Sequence, residues 1–341
     1  MFSYLTIFFM LNSFLFSLSE YQYSPIRVYD LRCNALKEPL GVDTPHPFLT
    51  WKLDNPTQER GVYQTAYQIV VSSSGEKVES LEGDLWDSGK MEDKRYQVVY
   101  IGKPLKKGQR VWWRVRIWDD KGRVSDFSEP SWWEMGLINE DNWEGKWIEP
   151  SENIYPRKLD ENELFHFNPA IFFRKNFVVD KKVKKARLYI SGLGYYIPYI
   201  NGMRVGDNEL DPGWTAYEKR IFYSVFDITN MIREGENVVG ALVGSGWYNP
   251  LPLKMWRRIN LREHLPVGIP KLRAQIELKF EDETGLVIPT DGRWKCQLSP
   301  IVKNNVYLGE EYDEKLEQEG WSSVGFDDSH WYSAQVSDKP G

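Results

Sequence analysis

The stretch RVWWRVRIWDD (Arg110 to Asp120) sets the terms for the fold. Val111, Trp113, Val115 and Ile117 fall on one side, and Arg114 and Arg116 on the other. Strict alternation over this length puts one face in a core and the other in water, the pattern of a half-buried strand. DDKG then supplies a tight turn and EPSWWEMG a closing strand. TAYQIVVSS (Thr65 to Ser73) is equally β-branched and aromatic, and no helix-period segment of useful length precedes residue 140. Strands at this spacing predict an immunoglobulin-like sandwich, bounded at residues 24–137.

The 341 residues leave room for about two domains with separate cores. Residues 138–170 are polar and broken by Pro150, Pro156 and Pro169, which predicts a linker or excursion and a protease-sensitive join. Strand patterns resume in AIFFRKNFVV, ARLYISGLGYYIPYING, VVGALVG and KLRAQIELKFED. DITNMIREGEN reads as one helical turn, capped by Asp227 or Thr229 and ended by Gly235. The expected fold is therefore all-β: an immunoglobulin/fibronectin-like sandwich followed over residues 171–336 by a larger sandwich of jelly-roll type.

At the N-terminus, Tyr4 to Leu18 is mostly apolar, with Ser17 and Ser19 at cleavage-type spacing. This predicts a signal peptide over residues 1–19 and a periplasmic or secreted product. The alternative is an uncleaved anchor; no other segment is apolar and long enough to span a membrane. A net charge of −6 argues against nucleic acid as a partner. Cys33 and Cys296 fall in different expected domains, which argues against a disulfide, and His46, His166, His264 and His330 are scattered, without metal-site spacing.

The chemistry-bearing motifs narrow the choice. SGLGYY has Ile197 where a dinucleotide loop needs its third glycine, and no crossover helix follows. VGSGWY fails as a nucleophile elbow, because Val243 and Trp247 stand where glycines belong around Ser245. It remains a strand end whose Gly244–Gly246 corner sets Trp247 and Tyr248 at a rim, or folds both rings back onto the core. The acidic run Gly309 to Trp331 invites a glycosidase reading, but acids along one exposed segment do not supply the two environments that a proton donor and a base need. The 15 tryptophans and 19 tyrosines suit a sugar-binding surface as well as a core.

NGMRVGDNELDPGWTAYEKRIFYSVFDITNMIREGENVVGALVGSGWY resembles the N-terminal accessory sandwich of bacterial α-L-rhamnosidases. Within it, LDPGWTAYEKRIFY together with GSGWY carries the family-specific likeness. LRCNALKEPLGVDTPHPFLTWKL, TAYQIVVSSS, LWDSGK and WWRVRIWD resemble the family's leading fibronectin-like domain, and NVYLGEEYDEKLEQEGWSSVGFDDSHW the end of the accessory sandwich. In that family an (α/α)₆ barrel with a DxxxRDER-like segment holds the catalytic glutamates. This sequence contains no such segment, so no catalytic residue is carried over. The resemblance implies a non-catalytic part that binds a rhamnose-containing glycan; the alternatives are half of a split enzyme, active only with a separately encoded barrel as partner, or a truncated product with no ligand. In some relatives the jelly-roll module binds sugar with Ca²⁺. The candidate carbohydrate-binding residues are Asp207, Asn208, Trp214, Trp247 and Tyr248, with Asp207 the candidate Ca²⁺ ligand. Ser245 departs from the acidic or amide residue of relatives.

Overall fold

The computed structural model describes residues 23–155, 167–250, 254–255 and 259–338. The expected signal peptide, Pro156 and His166 lie outside them. The chain divides into two units, residues 1–142 and 143–341.

The first unit holds β1 (Arg27–Cys33), β2 (Phe48–Asp54), β3 (Gln64–Ser72), β4 (Trp86–Asp87), β5 (Gln97–Val99), β6 (Arg110–Asp119) and β7 (Ser131–Glu134). They form two sheets, β1-β2-β5 and β4-β3-β6-β7. The alternation of β6 appears as expected: Val111, Trp113, Val115 and Ile117 are buried. They meet Tyr67, Ile69 and Val71 of β3 and Leu49 and Trp51 of β2 in one apolar cluster. Trp113 and Trp133 pack edge to face, with centroids 6.5 Å apart. One helix here was not expected from the sequence: α1 (Gly75–Glu79), capped by the Ser74 hydroxyl, which accepts from the Lys77 N–H at 3.3 Å. At five residues it is too short to show a periodicity.

α1 carries a pH-dependent clasp. Burial pushes the Asp84 carboxyl up, but donors from Lys77 and from the Ser73 hydroxyl and N–H outweigh it and hold the group at about 2. A carboxyl depressed in the folded state stabilises above its unfolded pKa, and that stability is lost as the pH falls from about 4 through about 2. Because the clasp is partly solvated, its share is about 1 kcal/mol. Asp84→Asn should therefore lower first-domain stability by about 1 kcal/mol at pH 7 and by almost nothing near pH 2, read by urea unfolding at both pH values. An equal loss at both would show that the contribution is not electrostatic.

The second unit begins earlier than the sequence suggests. The expected linker is corrected over residues 143–155: Trp147, Ile148 and Ile154 are buried, and β8 (Ile148–Glu149) joins a sheet. Prolines and charges around these few apolar residues concealed a two-residue strand. The following strands are β9 (Ile171–Val179), β10 (Val183–Leu193), β11 (Tyr195–Ile200), β12 (Met203–Arg204), β13 (Ser224–Asp227), β14 (Gly235–Gly244), β15 (Lys254–Met255), β16 (Ile259–Asn260), β17 (Lys271–Phe280), β18 (Gly285–Pro289), β19 (Lys295–Leu298), β20 (Ile301–Asn305), β21 (Gly309–Tyr312), β22 (Tyr332–Ser333) and β23 (Gln335–Val336).

One sheet runs β13-β10-β17-β8-β23, with β18 also on β17, and the other runs β12-β11-β14-β9-β19-β22. Alternate residues of both, among them Leu188, Ile190, Ile276, Phe173, Ala241 and Val243, close on a common core. The expected helical turn is a 3₁₀ turn over Thr229–Met231. The Asp227 carboxylate accepts the Thr229 N–H at 3.0 Å, whereas Gly235 opens β14 rather than ending a helix. Cys33 and Cys296 are free thiols, each buried.

Candidate functional site

Pairing between β11 and β14 sets Ile197 opposite Leu242 and Tyr195 opposite Gly244. Their neighbours Tyr196, Ala241 and Val243 point into the core, so Tyr195, Ile197 and Leu242 face outward, half-buried. The β20–β21 hairpin lies over this face at one end and brings Ile301, Asn304, Asn305, Val306 and Glu310. The loop after β12 adds Glu209 and Leu210, and Trp247 follows from the turn after β14. Together they enclose a cleft of about 480 Å³, which is large enough for a monosaccharide.

The walls are held by groups already committed to the structure. The Asn304 side-chain oxygen accepts the Ser245 N–H at 2.6 Å, and its amide donates to the Asn168 carbonyl at 2.6 Å. Asn305 accepts the Tyr307 N–H at 2.9 Å. Asp211 fastens the loop: one carboxylate oxygen accepts from the Tyr196 hydroxyl at 2.9 Å, the Ser224 hydroxyl at 2.6 Å and the Asn208 amide at 3.2 Å. Burial drives the Tyr196 hydroxyl far above its usual pKa, and the Asp211 charge adds to this, so the phenol stays a donor. Burial also raises the pKa of the Tyr195 hydroxyl, a shift that a hydrogen bond from the Trp247 indole opposes.

The opening alternatives for the aromatic pair divide. Trp247 stays at the rim, stacked on Trp214 with centroids 5.0 Å apart at 26°, and edge-on to Tyr307 at 5.7 Å. Tyr248 is 6% exposed, packs with Trp147, Leu193 and Tyr217, and has its hydroxyl pushed up to about 12 by burial. Tyr248 is therefore a core residue, which corrects its place among the sugar contacts. Ser245 is also fully buried. Trp214 is 45% exposed beside the cleft. Asp207 and Asn208 are exposed and do not line the cleft; the next two residues of the loop do.

Ca²⁺ takes six to eight oxygens; Asp207 is exposed, the Asn208 amide N–H donates to Asp211, and no group of three or more His, Cys, Asp or Glu side chains is gathered for a metal among the described residues. Sequence reasoning missed Tyr195, Glu209, Leu210, Asn304, Asn305 and Glu310. The alternation in YYIPYI marks an outward Tyr195–Ile197 face, but nothing local says that a hairpin more than a hundred residues later covers one end of it.

Two antiparallel sandwiches in one chain, the second with an aromatic-walled cleft on the outer face of a sheet, define an all-β protein of two sandwich domains. Residues 28–139 match the Rha78A-like N-terminal immunoglobulin domain, and residues 181–341 match the alpha-L-rhamnosidase N-terminal domain. The chain belongs to the alpha-L-rhamnosidase family, as its N-terminal two-domain region.

The alpha-L-rhamnosidase of Formosa agariphila is 35% identical over 311 residues, which make up 87% of this chain and 32% of that protein. The solved alpha-L-rhamnosidase of Dictyoglumus thermophilum superposes with a TM-score of 0.81 at 38% identity, over 92% of this chain and 34% of that one. The enzyme from Aspergillus terreus gives 0.77 at 29% identity, again over 92% and 34%. The chain thus spans about a third of the length of these relatives.

Proposed function

We propose that this chain is the non-catalytic N-terminal part of an alpha-L-rhamnosidase and that its second sandwich binds terminal α-L-rhamnose of glycans. The observation that carries this reading is the 480 Å³ cleft walled by Trp247 and Tyr195, in a chain whose relatives are alpha-L-rhamnosidases. A flat ring takes the C–H face of a sugar, and Trp214 stacked behind it holds Trp247 in place. Export through residues 1–19 belongs to the same proposal, since it delivers the cleft to extracellular or periplasmic glycans.

One monosaccharide offers few atoms, so affinity for methyl α-L-rhamnoside should be weak, about millimolar. Trp247→Ala should weaken binding about tenfold or more, and Trp214→Ala about threefold. Tyr248→Ala should act on stability instead, by about 3 kcal/mol. Titration followed by NMR, with a thermal melt of each variant, reads both effects. Absence of a saturable rhamnoside signal, or equal binding by all folded variants, would remove the cleft as a sugar site.

A second reading is that the chain works as one part of a split enzyme, alongside a separately encoded catalytic module. It is favoured by the exposed apolar groups around the same sheet end, Leu210 at 69%, Leu308 at 62% and Tyr312 at 56%. Such groups suit a protein partner better than a sugar.

A further inference from the structure

We propose that the first sandwich carries a binding site of its own, the open edge of β5, and that it takes an extended acidic peptide as an added strand. This site is separate from the cleft on the second sandwich. In its sheet β2 lies between β1 and β5. The Phe48 carbonyl accepts the Asn34 N–H at 2.8 Å, and the Phe48 N–H donates to the Asn34 side chain at 2.9 Å, so Phe48 commits its backbone to the β1 side. Its neighbours face the other way: the Pro47 carbonyl accepts the Tyr100 N–H at 2.9 Å, and Leu49 pairs with Val98. Because an antiparallel ladder alternates, Val98 and Tyr100 are committed to β2. The N–H and C=O groups of Gln97, Val99 and Ile101 face away from it, without a hydrogen bond among the described residues. Such edges are normally blunted by charge, proline or a bulge. Residues 97–101 contain no charged residue and no proline. At the opposite edge of the sheet, β1 is blunted by a register shift between Tyr29 and Arg32.

The outer face beside this edge grades from basic to apolar. Arg95 and Lys52 lie at one end, Arg32 follows, and Phe48, Val99 and Ile101 make the other end of one groove of about 1020 Å³. The three apolar side chains are exposed, Ile101 by 69%, and a patch of this kind suits a protein partner. Asp30 pairs with Arg32 at 3.0 Å and with Lys52 at 2.7 Å, and Asp93 pairs with Arg95 at 2.6 Å. Three cations thus meet two carboxylates, and each cation keeps N–H groups beyond those bonds. Salt screens more distant charge beyond about 8 Å, so this local surplus outweighs the negative balance of the whole chain. A peptide laid antiparallel along β5 sets apolar side chains over Ile101 and Val99 and carboxylates toward Arg95, Lys52 and Arg32. A second copy of this chain is the poorer partner. Pairing β5 with itself about Val99 brings Arg95 of one copy to the Lys103 end of the other, like charge on like charge.

The test titrates the full chain with an end-blocked peptide, Ile-Thr-Val-Thr-Glu-Thr-Glu, followed by amide NMR. Affinity on the order of 0.1 mM is expected, because ordering an extended peptide offsets much of the contact energy. Hydrogen exchange at the Gln97, Val99 and Ile101 amides should slow about tenfold or more at saturation, with Val98 and Tyr100 unchanged. Replacing both glutamates of the peptide by lysine should weaken it about tenfold at low salt. Arg95→Glu, at a side chain 76% exposed, should remove that preference without unfolding the domain. N-methylation of the peptide at its valine and first glutamate, whose amides face β5, should abolish binding. No binding, unchanged exchange at the three amides, equal affinity for the two peptides, or undiminished binding of the N-methylated peptide would each overturn the proposal. So would dimerisation of the chain alone that protects the same three amides, which would assign the edge to a second copy.

Discussion

Gly194→Ala is expected to destabilise the second domain by about 3 kcal/mol or more and to abolish ligand binding at the cleft. Gly194 joins β10 to β11 at φ +112°, a region that L-residues rarely occupy. A Cβ there would stand 2.0 Å from the Gly244 carbonyl oxygen and 3.2 Å from that of Ser245. Both neighbours are backbone, so no rotamer change relieves the contact. Relief has to separate Tyr195 from Gly244, the end pair of the β11–β14 register and part of the cleft wall. Backbone strain alone costs about 1–3 kcal/mol, and the broken pairing adds to it. Gly235→Ala is the control: its φ is +88°, but nothing lies within 4 Å of an added Cβ, so it should lose only about 1–2 kcal/mol. Urea unfolding of both variants, with the two domains followed separately, makes the comparison. A Gly194 variant as stable as the Gly235 variant would show that the close approach is easily relaxed.

The second large effect concerns Arg174. Its side chain is fully buried, on β9, and donates to the Asp328 carboxylate, to Asn176 at 3.2 Å and to the Ser323 carbonyl at 3.3 Å. Phe326 lies 5.2 Å and Trp331 6.0 Å from the guanidinium, and Trp331 and Trp321 both stack on Phe172. Arg174 thus fastens the segment that carries Trp321, Phe326 and Trp331 across the sheet. Burial pulls its pKa down, and the Asp328 charge works against that shift. Asp328→Ala should cost about 3 kcal/mol, because it leaves a buried cation uncompensated. Arg174→Met should cost less, because it removes the charge and keeps the volume. The double variant should recover about 2 kcal/mol of the summed losses in a double-mutant cycle. Additive losses would mean that the two side chains do not depend on each other. A single Asp328→Ala loss below about 0.5 kcal/mol would mean that solvent compensates the cation.

The sequence by itself determined the fold class and the division into two sandwiches, and the physical reason is local. A strand announces itself through alternation along a few residues. Val111, Trp113, Val115 and Ile117 repeat at the period of the pleat, and their burial follows from that period. The motifs that carried the family likeness are also contiguous, and the family models match the same stretches.

What the sequence could not show was set by contacts between distant segments. Trp147 and Ile148 sit among charges and prolines, and only their place beside Leu272 makes them second-domain residues. Trp247 and Tyr248 are adjacent and chemically alike, yet one meets the Trp214 ring at a rim and the other packs against Trp147 and Tyr217. The turn after β14 rotates successive side chains to opposite sides, and no one-dimensional pattern encodes which side is covered. Glu209 and Leu210 line the cleft in place of Asp207 and Asn208 because Asp211 pins the loop to Tyr196 and Ser224. Glu310 reads as one more acid on a solvated run until the β20–β21 hairpin carries it to the sheet face. The strands were legible one at a time, whereas the cleft exists only where four segments far apart in sequence converge, and tertiary packing alone brings them together.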